Sequence, residues 1–82
     1  MFILQVYTED RGWRFATSVW EDEVGWCYMD SPEHPARHAR VEDAEQDARD
    51  LAAECEVRTA VFDETLGIRV FECAPPAKRA GR

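Results

Sequence analysis

Two hydrophobic periods alternate along this chain. From Phe2 to Thr8 and from Trp13 to Trp20, β-branched and aromatic residues dominate and apolar positions recur at every second place, the period of a half-buried strand. Between them Glu9-Asp10-Arg11-Gly12 supplies turn chemistry and predicts a hairpin. A second acidic turn over residues 21–25 leads to Trp26-Cys27-Tyr28-Met29, a short third strand. Phe2, Leu4 and Val6 share one side of the first strand, and Trp13, Phe15, Thr17 and Val19 share one side of the second. Both sides are expected to face the one helix that the pattern supports.

That helix runs from Val41 to Cys55, where the period changes to 3.6. Val41, Ala44, Ala48, Leu51, Ala52 and Cys55 fall on one apolar stripe, the face that goes to a core. Glu42, Asp43 and Glu45 occupy its first turn, where the helix dipole favours negative charge. Asp43, Asp47, Asp50 and Glu54 form a second, acidic stripe turned toward water or a partner. The preceding DSPEHPARHAR, residues 30–40, shows neither period and reads as a connecting loop. After the helix, Val57 to Phe62 is a strand, Asp63 to Gly67 a turn, and Ile68 to Cys73 the last strand, ended by Pro75 and Pro76.

The expected fold is therefore α+β: an antiparallel sheet of four to five strands in the order β-β-β-α-β-β, with one helix on one face. Residues 1–73 form a single domain and 74–82 a flexible basic tail. One helix covers one face only. The other would carry Ile3, Gln5 and Tyr7, with Trp20, Phe62 and Phe71 as further contributors, more apolar area than a small monomer exposes. A homodimer through that open face, or a partner, is the expected cover.

Charge narrows the function. The 82 residues carry 17 acids and 10 bases, and three of the bases, Lys78, Arg79 and Arg82, lie in the tail. Without them 17 acids face 7 bases, a net charge near −10. Such a surface repels duplex nucleic acid, whose binding depends on Lys and Arg contacts to phosphate. Partners with basic surfaces are expected instead. The N-terminus has no basic, apolar leader pattern and no apolar run reaches membrane-spanning length, so a cytoplasmic protein is expected. Arg outnumbers Lys nine to one, a bias associated with high-GC bacterial or phage genomes. Three cysteines, Cys27, Cys55 and Cys73, are too few and odd in number for a disulfide framework.

Gly12 and Trp13 after the first strand, Ala44-x3-Ala48-Arg49-x-Leu51-Ala52 in the helix, and Asp63 followed by Gly67-Ile68-Arg69 in the last hairpin form a recognisable set. With these residues the chain resembles a small uncharacterised bacterial family of domains of unknown function with a β-β-α-β type plan, antitoxin-like or double-stranded-RNA-binding-like in shape. The chain departs from that pattern in a longer second-to-third strand region, in Glu45 where an apolar residue is expected, and in a last turn one residue longer. The resemblance implies a shape and no activity.

No constellation meets the requirements of catalysis or of a cofactor. Cys27, His34 and His38 make a Cys-x6-His-x3-His run, but Pro32 and Pro35 interrupt it and a fourth ligand is missing, so no metal is expected. Ser18 and Ser31 have no elbow motif, and Cys55 lies on the buried helix face, where thiols are inert. Asp22 with Glu23, and Asp63 with Glu64, sit in solvated turns. Tyr7, Trp13, Trp20, Trp26 and Tyr28 resemble a base-stacking platform, but such platforms are interleaved with cations, and only Arg11 and Arg14 lie near in sequence.

The acidic helix is the distinctive feature. Asp43/Asp47, Asp47/Asp50 and Asp50/Glu54 are like-charge pairs at helical spacing, each destabilising by roughly 0.2–0.5 kcal/mol, which a basic partner would relieve. Four carboxylates over roughly 16 Å of helix are sparser than the one charge per about 1.7 Å of duplex DNA. A nucleic-acid mimic would need the turn acids Glu21, Asp22, Glu23, Asp63 and Glu64 as reinforcement. The expected function is a non-enzymatic, acidic protein-binding module, an inhibitor of phage or mobile-element type that blocks a basic surface through Asp43, Asp47, Asp50, Glu54, Glu21, Asp22 and Glu23. The competing expectation is an antitoxin-like or nucleic-acid-associated regulator using the Arg11 and Arg14 edge and the basic tail.

Overall fold

The computed structural model describes residues 1–23, 25–31 and 33–75, and for Trp26 the backbone alone. The elements are β1 (Phe2–Thr8), β2 (Gly12–Glu21), β3 (Gly25–Asp30), β4 (Arg37–His38), α1 (Val41–Cys55), β5 (Thr59–Asp63) and β6 (Ile68–Cys73). They form one antiparallel sheet in the order β3-β2-β1-β5-β6, with β4 paired to β1. The α+β plan and the bounds of α1 agree with the sequence reading. Of the tail, Ala74 and Pro75 are described and the rest lies outside the described residues. No helix among the described residues is long and apolar enough to cross a membrane.

The core is built from close approach. Ala44, Ala48, Leu51 and Ala52 of α1 are buried against Leu4 and Val6 of β1, Ala16 of β2 and Val61 of β5. Phe2, Tyr28, Val57, Cys55 and Phe71 close its margins. Three of the four buried helix positions are alanine, so the helix backbone sits near the sheet. Thr59 exploits this: its buried hydroxyl donates to the Ala48 carbonyl at 2.7 Å. Besides β1, β5 and β6, α1 also packs against β3, which lies two strands from β1. Only a sheet that curls around the helix makes both contacts.

β2 achieves the curl by changing partners. Its first half pairs with β1, Gln5 opposite Phe15 and Tyr7 opposite Trp13, and its second half pairs with β3 from Ala16 onward. Where β2 departs, the edge of β1 would be left bare. The segment expected to be a loop fills it: β4 pairs Arg37 with Ile3 and His38 with Phe2. Just before it, the Ala36 N–H donates to the Ala16 carbonyl at 2.9 Å and the Leu4 N–H to the Ala36 carbonyl at 3.1 Å. This strand is held by backbone pairing and by the contacts of Arg37 with Glu64 and His38 with Asp47, and its two residues are too few to show a side-chain period.

The register corrects the expected facing of β2. A three-residue loop, Glu9 to Arg11, places Thr8 opposite Gly12. Gly12 adopts φ +72°, a region that favours glycine. Odd positions of β1 therefore meet odd positions of β2, and opposed residues share a face. Trp13 and Phe15 turn away from the helix, and Ala16 takes the core side. Phe71 is likewise corrected: it lies opposite Val61 and packs on the helix-side core. A bulge between Val61 and Phe62 leaves Val70 as the extra residue of β6. The last turn is tied by Asp63, whose Oδ1 accepts the N–H groups of Thr65 at 2.8 Å and Leu66 at 3.3 Å.

The face away from the helix is less open than expected. Ile3, Gln5 and Ala60 are buried there, flanked by Phe15 and Phe62 in edge-to-face contact at 5.4 Å. Tyr7 and Trp13 make a second such pair at 5.4 Å. Arg58 lies over both rings, at 5.1 Å and 5.5 Å, and Arg69 over Trp13 at 4.6 Å. The chain covers much of this face with its own arginines.

Leu51 is the largest buried side chain that α1 contributes. Leu51→Ala is expected to lower the unfolding free energy by about 2–5 kcal/mol, measured by urea denaturation. A loss under about 1 kcal/mol would mean the helix is not seated as described.

Candidate functional site

The acidic stripe of α1 does not present four equivalent charges. Asp43, Asp50 and Glu54 are exposed, whereas Asp47 is half-buried, with its side chain 21% exposed. Its Oδ2 accepts the Ser18 hydroxyl at 3.3 Å and the His38 Nε2–H at 3.3 Å. Asp47 therefore ties α1 to β2 and β4. The trio is not a nucleophile relay: in one, the imidazole lies between hydroxyl and carboxylate, and here the carboxylate lies between the other two. Asp50 is bonded along the helix by Gln46 Nε2 at 2.8 Å. In the hairpin that joins β2 to β3, Glu21 ends β2 and Asp22 and Glu23 form the exposed tip. The predicted acids thus lie on two elements, α1 and the hairpin that joins β2 to β3.

The cations explain what remains. All seven arginines among the described residues are matched with carboxylates of the same chain: Arg11 and Arg14 with Asp30, Arg37 with Glu64, Arg40 with Glu42, Arg49 with Glu45, and Arg58 and Arg69 with Glu72. These pairs are largely exposed and contribute little stability each, and five carboxylates serve the seven arginines, since Asp30 and Glu72 each hold two. Glu9, Asp10, Asp22, Glu23, Glu33, Asp43, Asp50 and Glu54 have no described cation within ion-pair distance. The uncompensated surface is acidic.

At the end of the sheet where β1 leaves and β5 enters, an open cavity of about 500 Å³ lies between Tyr7, Tyr28 and Val57, with Glu9, Asp10 and Glu56 among its lining residues. Aromatic faces beside carboxylates suit a positively charged side chain. Arg58 also lines the cavity and already lies over Tyr7, a cation on an aromatic ring within the same molecule.

The sequence reading placed only Arg11 and Arg14 near the aromatic residues. The fold instead brings Arg58 and Arg69 onto Tyr7 and Trp13, from strands distant in sequence. Glu72 sits with both, at 3.4 Å and 3.3 Å, and Asp30 holds Arg14 at 3.0 Å. One carboxylate therefore serves both arginines of the Arg11 and Arg14 edge and offsets one of its two charges. Among the described residues no group of three His, Cys, Asp or Glu side chains is placed to hold a metal ion. Burial pushes the Cys55 thiol up, with Cys27 and Glu54 adding to it. Cys27 is raised by partial burial and then by the Glu21 carboxylate.

No family model, no curated protein and no solved structure matches this chain.

The acids are expected to separate by substitution. Asp47→Ala leaves Ser18 and His38 without their shared acceptor and should destabilise by about 1–3 kcal/mol, while Asp43→Ala and Asp50→Ala stay within about 0.5 kcal/mol, in thermal or urea unfolding. Equal effects at all three positions would refute the tie. Because the raised thiols of Cys55 and Cys27 are protonated near neutral pH, both should alkylate more slowly with iodoacetamide than an unstructured cysteine, and faster as pH rises past the ordinary thiol range. Rapid alkylation of the folded chain at neutral pH would contradict this.

Proposed function

We propose that this protein is a non-enzymatic binding module that sets its acidic surface against a basic surface of a protein partner. An inhibitor covering the basic groove of a nucleic-acid-handling protein would act in this way. The observation that carries the proposal is that carboxylates of the same chain hold every described arginine, while Asp22, Glu23, Asp43, Asp50 and Glu54 have no described cation within ion-pair distance. Asp43, Asp50 and Glu54 supply the helix part, and Glu21, Asp22 and Glu23 the hairpin part. Asp47 supports them from behind by fixing the helix. Charges of this kind act on encounter rate and orientation more than on final affinity. The proposal places the protein in the cytoplasm, where its three free cysteines would stay reduced. Dimerisation through the sheet face away from the helix receives little support, because arginine side chains already lie over the aromatics there.

The competing proposal, a nucleic-acid-associated regulator, is favoured by one observation, the arginines stacked on Tyr7 and Trp13. Glu72 and Asp30 weigh against it by placing negative charge where phosphate would have to approach.

Binding of the full chain to a synthetic Lys/Arg-rich peptide, and separately to single-stranded and duplex oligonucleotides, distinguishes the two. Peptide binding that weakens with salt, with no oligonucleotide retardation, is expected. Reversing Asp43 and Asp50 to Lys should slow association and flatten the salt dependence with the fold intact. Oligonucleotide binding without peptide binding would overturn the acidic-surface proposal in favour of the regulator.

A further inference from the structure

β6 is a free edge of the sheet, since β5 pairs only one of its sides. Edge strands are usually protected by lysine, proline, a net charge or a bulge, and of these β6 has only the bulge at Val70. β6, IRVFEC, has neither lysine nor proline, and its charges, Arg69 and Glu72, cancel. Phe71 packs inward, but the other two large apolar side chains are exposed: Ile68 is 53% exposed and Val70 40%, next to Leu66 at 64% in the preceding turn. Half of the large exposed apolar residues among those described, the others being Met1, Trp20 and Met29, are gathered here. In a chain whose excess acids hold copies apart, this strand is a stretch of balanced charge with no strand paired to its outer side among the described residues.

We infer that β6 is a self-association edge, pairing antiparallel with β6 of a second copy to continue the sheet across a two-fold axis. The partner is identified by register. With the axis between Val70 and Phe71, Arg69 of each copy stands opposite Glu72 of the other, and Ile68 opposite Cys73. Opposed residues of an antiparallel pair must share a face. Residues three apart in a regular strand do not, but the extra residue Val70 brings Arg69, opposite Phe62, and Glu72, opposite Ala60, to the same face. The bulge that irregularises the strand within one chain is what makes it self-complementary between two. This dimer uses the sheet edge and leaves α1 and the acidic hairpin tip free, so it is independent of the proposed binding function.

The test uses the full chain and three variants, with the folding of each checked by circular dichroism. Sedimentation should show a concentration-dependent dimer. Val70→Lys, at an exposed position, should abolish it while the monomer stays folded. Arg69→Glu and Glu72→Arg should each loosen self-association by roughly tenfold or more, because like charges then oppose each other at both ends of the ladder. Mixing the two should restore a dimer, now a heterodimer with complementary pairs at both ends. A monomer at all concentrations, or a dimer indifferent to Val70→Lys, would overturn the inference. Failure of the mixed variants to associate would overturn the register.

Discussion

The close seating of one alanine-lined helix decides the shape of this protein. Ala44, Ala48 and Ala52 bring the backbone of α1 near the sheet, and a helix so close leaves room for few large side chains. Leu4, Val6, Leu51 and Val61 supply most of the fully buried apolar volume. A chain of this length has little stability to spare, so the sheet must enclose the helix rather than lie flat beneath it. The curl follows, with β2 leaving β1 at Ala16 to carry β3 onto the helix. The vacancy beside β1 is then closed by Ala36 and β4, and their position is secured by Asp47 of the helix through His38.

That arrangement also distributes the charge. The strands that curl bring Asp30 to Arg11 and Arg14, and the β5–β6 hairpin brings Arg37 to Glu64 and sets Arg58 and Arg69 around Glu72. Arginine suits this duty because its planar group can stack on an aromatic ring and still donate to a carboxylate. Arg58 and Arg69 do both, covering Tyr7 and Trp13 while held by Glu72. Arg58 and Arg69 are thereby engaged in covering one face of the sheet. What the molecule offers to others is carboxylate, on the exposed positions of α1 and at the hairpin tips.

Two of the surfaces differ in chemistry. The helix face and hairpin tips carry unpaired negative charge, which repels a second copy and attracts a basic surface. The β6 edge carries apolar side chains, balanced charge and an outer side with no strand paired to it among the described residues, which suit extension of the sheet. A small domain can keep such surfaces apart because the helix and the edge strand project in different directions from one curled sheet.

The sequence by itself determined the elements that bury a periodic face. The 3.6 period of Val41 to Cys55 and the alternation in β1 and β2 were legible because burial imposes them on residue type along the chain. The acidic excess was legible too, since charge is a sum and needs no fold. The face of β2, the existence of β4 and the pairing of each acid were decided only by tertiary structure. Turning Trp13 and Phe15 outward depends on one residue of loop length. Holding Arg37 and His38 in a strand depends on a bare backbone edge supplied by Ile3 and Phe2, 34 and 36 positions earlier. Turning Asp47 inward while Asp43 and Asp50 stay in water depends on Ser18 and His38 arriving from other strands. Each is a long-range contact between groups whose local sequences are ordinary, and local pattern carries no record of such contacts.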